Sequence, residues 1–277
     1  MARDGIVLSM RNLNKVTFND ARTEVVIQGG CLTSEVQAAA YENEALVVTG
    51  ICNDVGALGA ALGGGFGHLT GLYGLAVDNM LSLDIVLADG STKTVTKETD
   101  PDLWWALRGA GPNFGIVTSA TYKAYPTPNE KTLAFTGALM YTEDKLESVL
   151  EALDGLTMKP NMNIIVFFRT SGPPDFQLMV AVVPFYFGSE EDAKKTFSCF
   201  YDLKPFHEIT GMFPYNHWSD GADPFCTKGG RKPFFGASSN KLNIKTWRTI
   251  FNQYADFVKN NEGTGFSMIL LECYTMD

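Results

Sequence analysis

Metal-ligand and disulfide chemistry is almost missing from this sequence. Its five cysteines, Cys31, Cys52, Cys199, Cys226 and Cys273, are scattered and form no Cys-x-x-Cys pair. That excludes a disulfide scaffold and a zinc ribbon. The three histidines, His68, His207 and His217, lack the spacing of a metal site, so no metal is expected. No apolar run reaches the roughly 18 residues that a membrane-spanning helix needs, and the first ten residues lack the apolar stretch of a secretory signal. Positive charge is scarce too: 22 Lys and Arg against 31 Asp and Glu leave a net charge of −9. A nucleic-acid backbone selects clustered Lys and Arg, so that partner class is excluded.

What is present is a foldable chain. Its 277 residues are 45% hydrophobic and 12% aromatic, enough for one large domain or two medium ones. Composition shifts near residue 127, from Gly and small residues to Phe, Tyr and Trp. The two prolines of Tyr125-Pro126-Thr127-Pro128-Asn129 restrict the backbone there and mark a linker.

Before that point, Glu24 to Gln28 and Leu46 to Thr49 read as strands and Thr33 to Tyr41 as a helix. Residues 81–88 alternate as a half-buried strand, and Asp89-Gly90 supplies a positive-φ hairpin turn before Thr92 to Thr96 returns. Asp100-Pro101 caps a helix that stops at Gly109, and a β run follows from Phe114 to Tyr125. In the second part, Leu146, Val149, Leu150 and Leu153 stripe one helix. Ser189 and Asp192 open a second, and Trp247, Ile250, Phe251, Tyr254 and Val258 stripe a third. Strand-like runs Ile164–Phe168, Leu178–Phe187 and Phe266–Tyr274 lie between them. The order strand, helix, strand, strand, helix, helix, strand predicts one antiparallel sheet with helices on one face, an α+β fold.

The segment Gly50-Ile51-Cys52-Asn53-Asp54-Val55-Gly56 leads into a glycine-rich run that ends in Gly63-Gly64-Gly65-Phe66-Gly67. Glycine allows a backbone to approach a ligand closely and to turn several N–H donors on a pyrophosphate. An acidic protein would bind an anionic cofactor in this way without a basic patch. The usual nucleotide motifs do not fit. No lysine occurs in the loop, and His68 follows Gly67 where G-x-G-x-x-G would need another pattern. Composition alone leaves a second reading open, a tightly packed glycine turn.

These residues resemble a known family. The run from Gly50 to Gly67, then Tyr73-Gly74-Leu75-Ala76-Val77-Asp78-Asn79 and Ala88-Asp89-Gly90, keep the order and spacing of the berberine bridge enzyme-like FAD-linked oxidases. So do Asp100 to Gly109 and Gly111-Pro112-Asn113-Phe114-Gly115-Ile116-Val117-Thr118-Ser119. Those enzymes belong to the vanillyl-alcohol oxidase/p-cresol methylhydroxylase flavoprotein fold, and the look-alikes are oxidases of secondary metabolism. The resemblance implies a PCMH-type FAD-binding domain over residues 1–127 and a substrate domain over 128–277. It implies FAD as cofactor, held by Gly50, Cys52, Val55, Gly56, Gly59, Gly63, Gly64, Gly65, Gly67, Gly115, Ile116 and Val117. Cys52 stands where the family often bonds flavin C6 covalently; the remaining cysteines carry no motif and read as buried thiols.

The implied reaction passes a hydride from a small organic substrate to flavin N5, with O2 as the electron acceptor, while a Tyr or Glu of the substrate domain takes a proton. Glu272 and Tyr274, two apart on the last strand, share a face and are the candidate catalytic pair. A solvated strand end is the alternative for them. Tyr215, His217 and Trp218 either line a pocket or pack on the sheet, and His68 reads as packing or surface. The family's upstream Gly-Gly-His, whose histidine bonds flavin at 8α, has no counterpart here, and Asp4 to Leu13 resembles the stretch just after it. The family's C-terminal segment that returns to the flavin domain has no counterpart after Asp277 either, so a fragment cut at both ends is expected. A remnant that binds flavin weakly or not at all is the alternative, and a ligand-binding domain without redox chemistry is a third reading.

Overall fold

The computed structural model describes residues 5–226, 229, 232–239 and 241–275. The chain divides into two compact units. One is built from residues 5–133 together with 214–226; the other holds 134–213 and the described residues from 229 to 275. The Tyr125–Asn129 stretch, read as a linker, lies inside the first unit, and the change of unit falls between Leu133 and Ala134.

The first unit contains β1 (Val16–Phe18), β2 (Glu24–Gln28), α1 (Thr33–Glu42), β3 (Ala45–Leu46) and α2 (Ala57–Ala61). It continues with α3 (Thr70–Tyr73), β4 (Met80–Val86), β5 (Thr92–Val95), α4 (Pro101–Ala110), β6 (Ile116–Lys123) and β7 (Tyr125–Pro126). Its five-stranded sheet runs β1-β2-β6-β4-β5, antiparallel throughout. Alternation explains β2: Val25 and Ile27 are buried, while Glu24 and Val26 face out. The α4 cap is as expected, with the Asp100 carboxylate accepting the Leu103 N–H at 3.1 Å and Pro101 following it. The helix breaks at Arg108 and Gly109.

Two local readings change. In the β4–β5 turn only Gly90 has positive φ; the Asp89 carboxylate instead accepts the Ser91 N–H at 2.9 Å and its hydroxyl at 2.6 Å, which closes the turn from the side chain. The run Leu46–Thr49 is not a strand throughout, because the β3–β7 ladder ends at Leu46. Beyond it, the Tyr215 hydroxyl donates to the Val47 carbonyl at 2.7 Å and accepts the Val47 N–H at 3.3 Å. A side chain 168 residues away thus takes the place of a neighbouring strand.

This contact ties residues 214–226 into the first unit, and Gln37 adds to it by donating to both Thr49 Oγ1 (3.0 Å) and Ser219 Oγ (3.2 Å). Tyr215→Phe keeps the ring but strands both polar groups of a fully buried Val47. It is expected to lower stability by about 1–3 kcal/mol in denaturant unfolding. A loss below ~0.5 kcal/mol, the range of neutral surface changes, would contradict this.

The second unit contains β8 (Ala134–Thr142), α5 (Leu146–Asp154), β9 (Met162–Thr170), β10 (Leu178–Phe187), α6 (Glu190–Thr196), α7 (Ser198–Tyr201), β11 (His207–Phe213), α8 (Ile244–Asn260) and β12 (Ile269–Cys273). The sheet order is β11-β8-β10-β9-β12, again antiparallel. Ile164, Val166 and Phe168 of β9 and Val180 and Val182 of β10 project to one face. They pack with Leu146, Val149 and Leu150 of α5, Phe197 and Phe200 around α7, and Phe251 and Tyr254 of α8. This is the predicted α+β layer. The strand β11 was not anticipated, since its side chains are only half-buried or exposed and leave no clean period.

Candidate cofactor site

Three motifs that are separate in the sequence meet at the glycine-rich run. The Gly64 and Gly65 carbonyls accept the N–H groups of Val77 and Ala76 at 3.0 and 2.9 Å, and the Leu62 carbonyl accepts the Gly109 N–H at 3.0 Å. Arg108 then closes the assembly, with Nε donating to the Val77 carbonyl at 3.0 Å and a terminal nitrogen to Asp78 Oδ1 at 2.6 Å. The segments Tyr73–Asn79 and Asp100–Gly109 are therefore scaffolding for the turn at Gly64-Gly65.

The glycines themselves fall into two groups when a methyl group is imagined on each. At Gly67 a Cβ would stand 1.8 Å from the Thr49 carbonyl oxygen, and at Gly65 one would stand 2.7 Å from the Ala76 Cβ. Those glycines are required by the protein's own packing. Gly115 belongs with them, at 2.4 Å from the Val86 carbonyl. Gly56 and Gly59 are different: a Cβ there meets no atom within 4 Å, and both are exposed. Gly63 is exposed as well, with only ordinary contact to the Ala60 carbonyl at 3.5 Å. Gly50 has similarly loose contact, and Gly64 has open space but a φ of +128°. Internal packing does not explain why side chains are missing from Gly56, Gly59 and Gly63. A surface swept clear for a closely approaching ligand does explain it.

Cys52 and Val55 flank this surface, the first half-buried and the second exposed. Helix α2, which carries Gly59, lies against β6, which begins with exposed Ile116 and buried Val117. Burial raises the thiol pKa of Cys31, Cys199 and Cys273, which keeps them protonated and unreactive.

The other candidate residues separate by role. His68 is buried and meets the Trp218 ring edge-on, with centroids 6.3 Å apart. Tyr215 and Trp218 are buried, and the cavity they line with Gln37, Thr49 and His68 has a volume of about 10 Å³, no larger than one water requires. They pack rather than form a substrate pocket. His217 is exposed, with Nδ1 2.7 Å from Asp220 Oδ2. In the second unit Glu272 pairs with Ile165, on the sheet face opposite the helices, and the Tyr274 hydroxyl donates to Glu272 Oε2 at 3.3 Å. Glu272 keeps an exposed surface, yet the surrounding strands remove enough water to raise its pKa, an effect the Tyr274 hydrogen bond opposes. Among the described residues no group of three His, Cys, Asp or Glu side chains is placed to hold a metal ion.

Residues 1–96 match the FAD binding domain family. The FAD-linked oxidoreductase hasG of Aspergillus fumigatus is 32% identical over 282 residues, covering 99% of this chain and 59% of that protein. The chain is thus related to FAD-linked oxidoreductases. Its fold agrees with solved structures of oxidases. 6-Hydroxy-D-nicotine oxidase from Arthrobacter nicotinovorans superposes with a TM-score of 0.69 at 28% identity, over 78% of this chain and 48% of that one. Glucooligosaccharide oxidase from Acremonium strictum, described as carrying 6-S-cysteinyl, 8α-N1-histidyl FAD, shares the fold at TM-score 0.65 and 21% identity, over 78% and 45% of the two chains. The chain spans little more than half the length of the relatives it matches in sequence. FAD is the cofactor that the matched domain binds, and the open, side-chain-free surface at Gly56, Gly59 and Gly63 leaves room for it.

One part of the site was not foreseen from the sequence. Asn53, beside Cys52, donates to Asp220 and Asp223 from the returning segment. Nothing local marks a residue whose partners lie more than 160 positions away.

Proposed function

We propose that this chain holds FAD along Gly56, Gly59 and Gly63, with Cys52 as the covalent anchor, and serves an FAD-dependent oxidoreductase acting on a small organic substrate with O2 as acceptor. The observation that carries the reading is the exposed, side-chain-free glycine surface beside a half-buried thiol. FAD held there would supply the redox chemistry, with its N5 as the hydride acceptor. The chain's own residues supply position and proton handling. The glycine surface admits the cofactor to backbone distance, and the Arg108–Asp78 pair keeps that surface in shape. Glu272, with a raised carboxyl pKa, is the candidate acceptor of the substrate proton, and Tyr274 holds its Oε2. The oxidase names of the structural relatives support the electron acceptor.

The test is spectroscopic. Protein produced with FAD is expected to be yellow, to keep its flavin through acid precipitation, and to lose acid-stable flavin entirely in Cys52→Ala. Colourless protein that does not bind added FAD would overturn the cofactor reading. Flavin that acid releases from the unmutated chain would overturn only the covalent anchor.

A further inference from the structure

The turn that carries Cys52 is gripped from two sides. On one side the start of α1 holds its backbone. The Ser34 N–H and hydroxyl both donate to the Asn53 carbonyl, at 3.2 and 3.1 Å, and the Thr33 N–H donates to the Val55 carbonyl at 2.9 Å. A helix leaves its first N–H groups without internal partners, so helix end and turn satisfy each other. The Val55 N–H closes the turn onto the Cys52 carbonyl at 3.2 Å.

On the other side the returning segment holds a side chain. Asn53 Nδ2 donates to Asp220 Oδ1 at 3.1 Å and to Asp223 Oδ1 at 2.8 Å. Asn53 is only 9% exposed, and its Oδ1 is buried without a hydrogen-bond partner. Turning the amide over would set that oxygen against two carboxylates, so the carboxylates dictate which way it points. Both amide hydrogens are committed to charged acceptors, the stronger class of hydrogen bond. The residue next to the thiol is therefore held both through its carbonyl and through its side chain.

We propose that Asn53 is a positioning residue: clamped by Asp220 and Asp223, it sets the direction in which the Cys52 thiol is presented to FAD. The attachment half of this statement rests on the proposed role of Cys52; the clamp rests on its own contacts. Covalent attachment needs the reacting atoms aligned closely, and a loosened turn lowers the fraction attached even where the cofactor still binds.

The experiment uses the full chain produced with FAD and compares it with Asn53→Ala and with the triple variant N53D/D220N/D223N. In the triple variant every donor and acceptor is reversed, so a carboxylate at position 53 accepts from amides at 220 and 223. Three quantities are read: total flavin after denaturation, flavin retained by the acid precipitate, and amide hydrogen exchange by peptide. Asn53→Ala is expected to leave total flavin nearly unchanged. It should lower the acid-retained fraction at least about tenfold and speed exchange over residues 50–57 by a similar factor, the smallest effect expected from losing both charge-assisted hydrogen bonds. Exchange in β2 and β6 should not change, and the triple variant should recover both losses. Unchanged retention and unchanged local exchange in Asn53→Ala would overturn the proposal. So would faster exchange throughout the first unit with total and acid-stable flavin falling together, which marks a merely structural residue. If the unmutated chain keeps no acid-stable flavin, the Cys52 anchor fails, and local exchange alone then decides whether the clamp exists.

Discussion

Gly59→Ala should make the flavin-free protein more stable and the flavin complex weaker. Gly59 lies within α2, where glycine is less favourable than alanine by roughly 0.5–1 kcal/mol, and the added methyl meets no protein atom within 4 Å. The apo protein should therefore melt slightly higher. If FAD lies on this surface, the same methyl intrudes on it, and overpacking of that kind costs about 1–3 kcal/mol, or about 5- to 150-fold in affinity. Gly67→Ala gives the opposite pattern. Its methyl would stand 1.8 Å from the Thr49 carbonyl oxygen, so backbone must move. The expected cost exceeds ~4 kcal/mol, and little folded protein should be recovered. Thermal melts of both apo variants and flavin fluorescence titrations of Gly59→Ala check the pair. Unchanged FAD affinity in Gly59→Ala would move the cofactor away from this face.

Phe168→Ala should remove a large share of the stability of the second unit. Phe168 is fully buried on β9 and meets Trp247 and Phe251 of α8 edge-on, with ring centroids 5.8 and 5.3 Å apart. Truncating a core phenylalanine costs about 3–5 kcal/mol through lost transfer energy and the cavity left behind. Against a usual domain stability of roughly 5–15 kcal/mol, that is a large share. Urea unfolding followed by tryptophan fluorescence measures it, and a loss under ~1 kcal/mol would show that the sheet and α8 are not held by this contact.

Local chemistry was legible wherever a feature depends on neighbours a few residues away. The alternation of β2, the Asp100 cap on α4, the Ser189 cap on α6 and the apolar stripe of α5 all follow from near-sequence geometry. The glycine-rich run and its companion motifs pointed to FAD through their resemblance, in order and spacing, to FAD-linked oxidases; composition alone left a tightly packed glycine turn open.

The rest was decided in three dimensions. Gly59 and Gly67 look alike in the sequence, yet only packing tells which has open space before it and which is wedged against Thr49. The run after Leu46 has strand composition, but the Tyr215 hydroxyl, supplied from the far end of the chain, takes the hydrogen bonds a ladder would use. Asn53 gave no signal at all until Asp220 and Asp223 were brought beside it. Propensity and periodicity act over one or two turns of chain, whereas a hydrogen bond requires only proximity in space. The residues that hold the site together are therefore the ones whose partners the fold, not the local sequence, selects.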